Sequence, residues 1–291
     1  MICLKPFRKG GSEFGCGQCL PCRINRRRQW TARLLLEARC HDVPSLFVTL
    51  TYAHLKSPRS ASVFKRDVQL FFKRLRRTGE KVRYYAVGEY GDRFGRPHYH
   101  LALFGLQDLG NIGKAWSRRG TPIGLVDIRE IGPESAAYIV SYILKGSTRK
   151  RREDDRAPEF SLQSTNPGIG ALAVKKLAQV YNTSSGARYI GVHGDVPLVF
   201  RTDGSDYPLG KYLRKKLREE LGFSYDVKPG TELDIKQKAV YIRDSQDGFV
   251  IDPDDPLKRR LLLKSREERR KQAARKAIWK ANYIRSKKGN F

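Results

Sequence analysis

Polar and apolar residues alternate with a period of two through residues 96–104, and His98 and His100 fall on the same side of the alternation. This period predicts a β-strand, in which residues two apart share a face. Residues 82–90 have the character of a partner strand, and the turn-rich stretch 91–97 (Gly91, Asp92, Gly95, Pro97) predicts that the two fold into a hairpin. Residues 45–53 form a further β-rich run, and 124–130 alternate as another strand. Helical spacing governs the intervening segments. Phe64, Val68, Phe71, Phe72 and Leu75 recur every three or four residues and should face a sheet. Residues 23–40 predict a helix with Trp30, Leu34 and Leu35 available for packing, and 111–118 a short one. Gly132-Pro133-Glu134-Ser135 marks a helix start and Gly146 its stop. The order β-α-β-β-α-β-α with a tight central hairpin predicts an α+β fold: an antiparallel sheet covered by helices.

Beyond this region the pattern is weaker. Residues 147–165 are charged and read as a linker, 166–181 look helical, and 187–200 carry strand-like runs around Gly194 and Asp195. Leu213, Leu217 and Leu221 mark an amphipathic helix, and 244–256 hold five Asp and two Pro and predict a break. The resulting division is a Cys-rich, basic segment (1–42), a core (43–146), a linker (147–165), an accessory region (166–250) and a basic tail (251–291).

Three groups of residues carry candidate chemistry. His98 and His100 would point the same way from one strand, and Glu89 lies across from them near the end of the partner strand. Two imidazoles and a carboxylate leave coordination positions open. Such a set suits Mg2+ or Mn2+, with water and a substrate oxygen completing the shell. Tyr138, Tyr142 and Lys145 are spaced i, i+4, i+7 and share a narrow helical stripe. Aliphatic neighbours Ala136, Ile139, Val140, Ile143 and Leu144 already supply a face to bury, which leaves the two phenols and the ammonium on a polar one. A phenol has a pKa of about 10, so it is a poor nucleophile until its proton is removed or its anion stabilised; Lys145 is placed to do the latter. The third group is Cys16-x-x-Cys19-x-x-Cys22, with Cys3 available as a fourth thiol. It reads either as a structural zinc site or as reduced thiols in a Gly-rich loop. Cys40, near a helix end, reads as a packed thiol.

With these residues in place, the chain resembles the HUH endonucleases: rolling-circle replication initiators, relaxases and related transposases. It is most similar to the replication initiators of gokushovirus-type microviruses, small single-stranded DNA phages. Phe47-Val48-Thr49-Leu50-Thr51-Tyr52 resembles the family's first motif, and Pro97-His98-Tyr99-His100 its metal motif. Tyr138, Tyr142 and Lys145 resemble its double-tyrosine motif, and the cysteine cluster is similar to one common in these initiators. The likeness is good over residues 1–146 and weak to about 221. It implies an HUH-type central sheet and a divalent ion on Glu89, His98 and His100. It also implies cleavage of single-stranded DNA at a phage origin through a 5′-phosphotyrosine on Tyr138 or Tyr142. The freed 3′-hydroxyl would prime a host polymerase, and the setting would be the host cytoplasm. Two other readings remain open: a non-catalytic, zinc-containing nucleic-acid binder, and a relaxase or transposase with the same chemistry.

Composition narrows the partners. Of 291 residues 58 are Lys or Arg and 30 Asp or Glu, a net charge of +28. That balance favours phosphate backbones. No apolar run is long enough to span a bilayer and the first residues lack a signal-type apolar stretch, so no membrane partner is expected. The odd count of five cysteines fits reduced thiols in a cytoplasm. No GxxxxGK[ST] loop occurs, so unwinding would fall to a host helicase. Residues 258–288 hold fourteen Lys or Arg against two Glu. Truncation before Lys258 is expected to weaken single-stranded DNA binding and flatten its salt dependence, because fewer counterions are released. The check is the slope of log affinity against log salt; an unchanged slope assigns the tail to another partner.

Overall fold

The computed structural model describes residues 3–10, 12–53, 61–91, 94–141, 156–193, 195–202 and 205–222. In chain order these form β1 (Phe7–Lys9), β2 (Ser12–Phe14), α1 (Leu20–Ala38), β3 (Leu46–Thr51), α2 (Lys65–Arg77), β4 (Arg83–Tyr90) and β5 (Pro97–Phe104). Next come α3 (Gly110–Ala115), β6 (Ser117–Arg118), β7 (Thr121–Pro122), β8 (Val126–Glu130), α4 (Pro133–Ile139) and β9 (Phe160–Gln163). The remainder is α5 (Val174–Tyr181), α6 (Ser184–His193), β10 (Val199–Thr202), β11 (Ser205–Pro208) and α7 (Gly210–Glu220). Two compact units result. One comprises Arg27–Lys176 and Val199–Leu213; the other comprises Met1–Arg26, Leu177–Leu198 and Arg214–Phe291.

The first unit is built on a five-stranded sheet in the order β8-β3-β5-β4-β9, with every neighbouring pair antiparallel. Strand alternation divides its side chains between two cores. On one face Val48, Leu50, Tyr99, Leu101 and Leu103 pack with Val68, Phe71, Phe72 and Leu75 of α2 and with Ile112, Ala115 and Trp116. On the other, Phe47, Tyr85, Val87, Ala102 and Phe104 pack with Leu34 and Leu35 of α1, Ala136, Ile139 and Val140 around α4, and Ile169. The expected α+β fold, an antiparallel sheet flanked by helices, is therefore present, and α2 buries the residues whose spacing predicts it. Buried Glu37 fixes α1 in place: it pairs with Arg83 and its Oε2 accepts the Gly170 N–H at 2.6 Å. Gly88 permits β9 to close the sheet, since a Cβ there would stand 2.7 Å from the Phe160 ring.

Some expectations need correction. The segment 147–165, expected to be a linker, contributes β9, which pairs with β4 from Gly88↔Phe160 to Tyr85↔Gln163. Phe160 and Leu162 supply enough apolar surface to dock a four-residue strand within a charged stretch. Residues 187–193, expected to be strand-like, belong to α6, which lies in the second unit. Their β-branched Ile190 and Val192 favour a strand, but an i to i+4 pairing prevails: the Tyr189 and His193 rings stack at 4.0 Å and His193 Nδ1 donates to the Tyr189 carbonyl at 2.8 Å. The helix expected over 166–181 begins late, at Val174 after a 3-10 turn (Ala171–Ala173), because Pro167 and the left-handed Gly170 precede it. Also in the second unit, buried Asp195 accepts from both Arg214 and Arg218, the latter through Nε at 2.7 Å. Residues 244–256 and the basic tail lie outside the described residues. No helix among those described is long and apolar enough to cross a membrane.

A polar knot joins β5 to α2 beneath the sheet. The Tyr99 hydroxyl accepts the Phe64 N–H at 2.9 Å and lies 2.7 Å from that of Tyr52, which donates to Asp67 at 2.6 Å. Burial pushes the Tyr99 phenol up to about 12. Tyr99→Phe should strand these partners and cost about 1–3 kcal/mol of stability, measured by denaturant unfolding. A change below experimental error would show that the knot is energetically idle.

Candidate metal and tyrosine site

The hairpin register sets Glu89 directly opposite His98, and β3 sets Thr51 opposite His98 and Thr49 opposite His100. All of these side chains therefore rise from one face of the sheet. Glu89 Oε1 lies 3.4 Å from His98 Nε2 and 3.4 Å from His100 Nε2, and the three candidate ligand atoms fall within 4.8 Å of one another. The carboxylate and His100 are buried, and the His98 side chain is 16% exposed, so the cluster has one open side.

Neighbouring groups orient both rings. His98 Nδ1 donates to the Arg96 carbonyl at 3.0 Å, which leaves Nε2 as the ring's lone-pair nitrogen. His100 Nδ1 and Thr49 Oγ1 are 3.1 Å apart, and Phe47 stacks on the His100 ring at 5.3 Å. Ligand imidazoles are held in this way in metal sites, with the second nitrogen engaged and the first aimed inward. The donor set therefore fits a divalent ion. Thr49 was not singled out in the sequence, although its place in the alternating Phe47-Val48-Thr49 run put it on the same face as Phe47.

Tyr138 lies over this cluster. Its ring meets His100 edge-on at 5.2 Å and 82°, meets Phe47 at 6.1 Å and 74°, and is 38% exposed. The helix that carries it starts where the sequence predicts: Pro133 is its first residue, and the Gly132 N–H donates to Ser135 Oγ at 2.8 Å. Ala136, Ile139 and Val140 are buried, which turns Tyr138 outward. Arg27, within α1, anchors the same turn by donating from Nε to the Ala137 carbonyl at 2.9 Å. Its effect was not legible in the sequence, because 110 residues separate donor from acceptor. Tyr142 and Lys145 lie outside the described residues.

The cysteine group assembles in the other unit. Cys3, Cys16, Cys19 and Cys22 place their sulfur atoms within 4.8 Å of one another. The backbone N–H of Cys16 donates to Cys3 Sγ and that of Cys19 to Cys16 Sγ, each at 3.3 Å. N–H groups of Cys19 and then Gln18 draw the Cys16 thiol down to about 6, whereas burial pushes Cys22 up to about 12. Cys40 stands apart, donating to the Leu36 carbonyl at 3.2 Å. Thr49→Val is expected to lower divalent-ion affinity about 10- to 100-fold by releasing the His100 ring. Titration with Mn2+ followed by its paramagnetic resonance measures this, and undiminished affinity would exclude Thr49 from the site.

The model of the replication-associated protein ORF2 family matches residues 45–147, the span that holds β3 through α4. Replication-associated protein VP4 of Bdellovibrio phage phiMH2K is 28% identical over 246 residues, covering 74% of this chain and 71% of that protein. Replication-associated protein ORF2 of Spiroplasma virus 4 is 32% identical over 102 residues, 31% of each chain. Replication-associated protein ORF4 of Chlamydia phage 1 is 36% identical over 98 residues, 31% of this chain and 23% of its own. No solved structure matches the chain. The family match falls on the strands and helix that carry the His, Glu and Tyr cluster, and with these phage relatives it places the chain in the replication-associated protein ORF2 family.

Proposed function

We propose that this protein initiates rolling-circle replication of a single-stranded DNA phage by cutting and rejoining one strand at the origin, as an HUH-type endonuclease and strand transferase. The family match and the relatives' names support a role in phage DNA replication. One observation carries the chemical reading: an outward phenol, Tyr138, stands edge-on at 5.2 Å from a histidine of a Glu/His/His cluster. Glu89, His98 and His100 would hold Mg2+ or Mn2+, which when bound supplies Lewis-acid polarisation of a phosphate oxygen.

The remaining chemistry falls to the chain's own residues. The Tyr138 or Tyr142 hydroxyl attacks the scissile phosphorus. A bond forms from the phenol oxygen to phosphorus, the bond to the 3′-oxygen breaks, and the phenol proton is balanced by the proton gained on the released 3′-hydroxyl. The 5′ end stays on tyrosine, so the energy of the phosphodiester is kept. A 3′-hydroxyl can then reverse the attack and reseal a strand. Lys145 would support the developing phenolate or a phosphate oxygen. The freed 3′-hydroxyl is a substrate for a host polymerase, with a host helicase opening the duplex ahead. Lys and Arg side chains bind the backbone independently of the ion.

The test is an adduct gel on a labelled single-stranded origin oligonucleotide with Mn2+ or Mg2+. Tyr138→Phe with Tyr142→Phe should eliminate the covalent adduct and leave binding intact, and His98→Ala or EDTA should do the same. Each single Phe variant should retain some first cleavage, at unequal rates. An adduct that survives in the double variant, or that maps to Tyr52 or Tyr99, overturns the tyrosine assignment. Binding without any adduct in the unaltered chain favours a non-catalytic nucleic-acid binder.

A further inference from the structure

We propose that Cys3, Cys16, Cys19 and Cys22 hold a structural zinc ion, and that the small hairpin this ion closes is a second contact for single-stranded nucleic acid. The nucleic-acid half rests on the functional reading above; the zinc half does not.

The sulfur positions carry the first half. Four thiolates at about 2.3 Å from a tetrahedral zinc ion lie about 3.8 Å apart. Cys3 Sγ and Cys19 Sγ are 3.9 Å apart, and all four sulfurs lie within 4.8 Å of one another. A disulfide requires about 2.05 Å, and all five cysteines are free thiols. The N–H groups of Cys16 and Cys19 point at the sulfurs of Cys3 and Cys16, an arrangement that favours thiolate over thiol. Four sulfurs complete the coordination shell and leave no position for substrate, so the ion is structural and its chemistry is opposite to that of the open oxygen-and-nitrogen cluster on the sheet.

The segment has little else to fold it. β1 and β2 are three residues each, and an isolated two-stranded hairpin is marginal in water. Its apolar content is mainly the Phe7 and Phe14 rings, stacked at 5.5 Å, with Phe7 still 52% exposed. Cys3 precedes the hairpin, Cys16 and Cys19 follow it, and Cys22 sits in the first turn of α1, so one ion ties both ends of the loop to a helix. What the hairpin presents outward is Lys5, Phe7, Arg8 and Lys9, all exposed, with Arg8 also paired to Glu13 at 3.1 Å. An aromatic ring among cations is the chemistry that stacks on bases while holding phosphates.

The experiment uses the full chain. Metal analysis should find about one zinc per chain, retained in Cys40→Ser and in His98→Ala and lost in Cys16→Ser/Cys19→Ser. Folded protein without zinc, zinc retained in the cysteine double variant, or zinc lost on His98→Ala would each overturn the site. Should the double variant fail to fold, replacement of zinc by Co2+ in the unaltered chain must give the intense thiolate charge-transfer bands of a four-sulfur site, and their absence overturns it equally. Phe7→Ala/Lys9→Ala should keep zinc and lose at least about fivefold in affinity for a labelled single-stranded oligonucleotide, read by anisotropy without Mg2+ or Mn2+. Unchanged affinity in a chain that still nicks overturns the contact alone. A zinc-loaded chain that binds no oligonucleotide overturns the contact and the functional reading together.

Discussion

Everything in the larger unit depends on the pleat of β5. Within three residues it sends His98 and His100 to one face and Tyr99 to the other. Tyr99 is fully buried among the aromatic rings over α2, and its hydroxyl is held by Phe64 and Tyr52. That burial fixes the register. A slip of one residue would drive two imidazoles into an apolar core and put a phenol in their place. The same residue spacing that builds the fold therefore aims the candidate ligands, and β4 and β3 inherit their contributions, Glu89 and Thr49, from pairing with this strand.

The second determinant is the layer above the histidines. Phe47 lies flat against His100, and Tyr138 meets both rings on edge. Three aromatic rings in contact restrict one another's rotation, so packing confines the phenol ring. Arg27 holds the Ala137 carbonyl beside it, and the burial of Ala136, Ile139 and Val140 holds the helix to the sheet. The reactive oxygen is thus carried by a packed element rather than by a loop, while one side of the ring stays open to a substrate.

What was legible in the sequence was local. A period of two and a Gly- and Pro-rich turn suffice to place Glu89 across from His98, and Pro133 to start the tyrosine helix. Non-local effects were not legible. Thr49 matters only once β3 and β5 pair, and Arg27 only once α1 packs against α4. Cys3 joins the other cysteines only through a hairpin too short to show a period. β9 was hidden because a four-residue strand in a charged stretch draws its stability from the sheet it joins. α6 was misread because the bulky residues that favour a strand are here held by neighbours one helical turn away.

The outer strand β8 has a consequence for the protein's life in a crowded cell. Among the described residues, β8 borders β3 on one side only, which leaves a row of backbone donors and acceptors along its other side. Such a row invites the matching strand of another copy. Asp127, Arg129 and Glu130 occupy three of its five positions and all are exposed, with Asp127 and Arg129 paired at 3.0 Å. Bringing two copies together edge to edge would require stripping water from these charges. The border of the sheet thereby guards against self-association, so that a protein with this much exposed strand can accumulate without seeding its own aggregation.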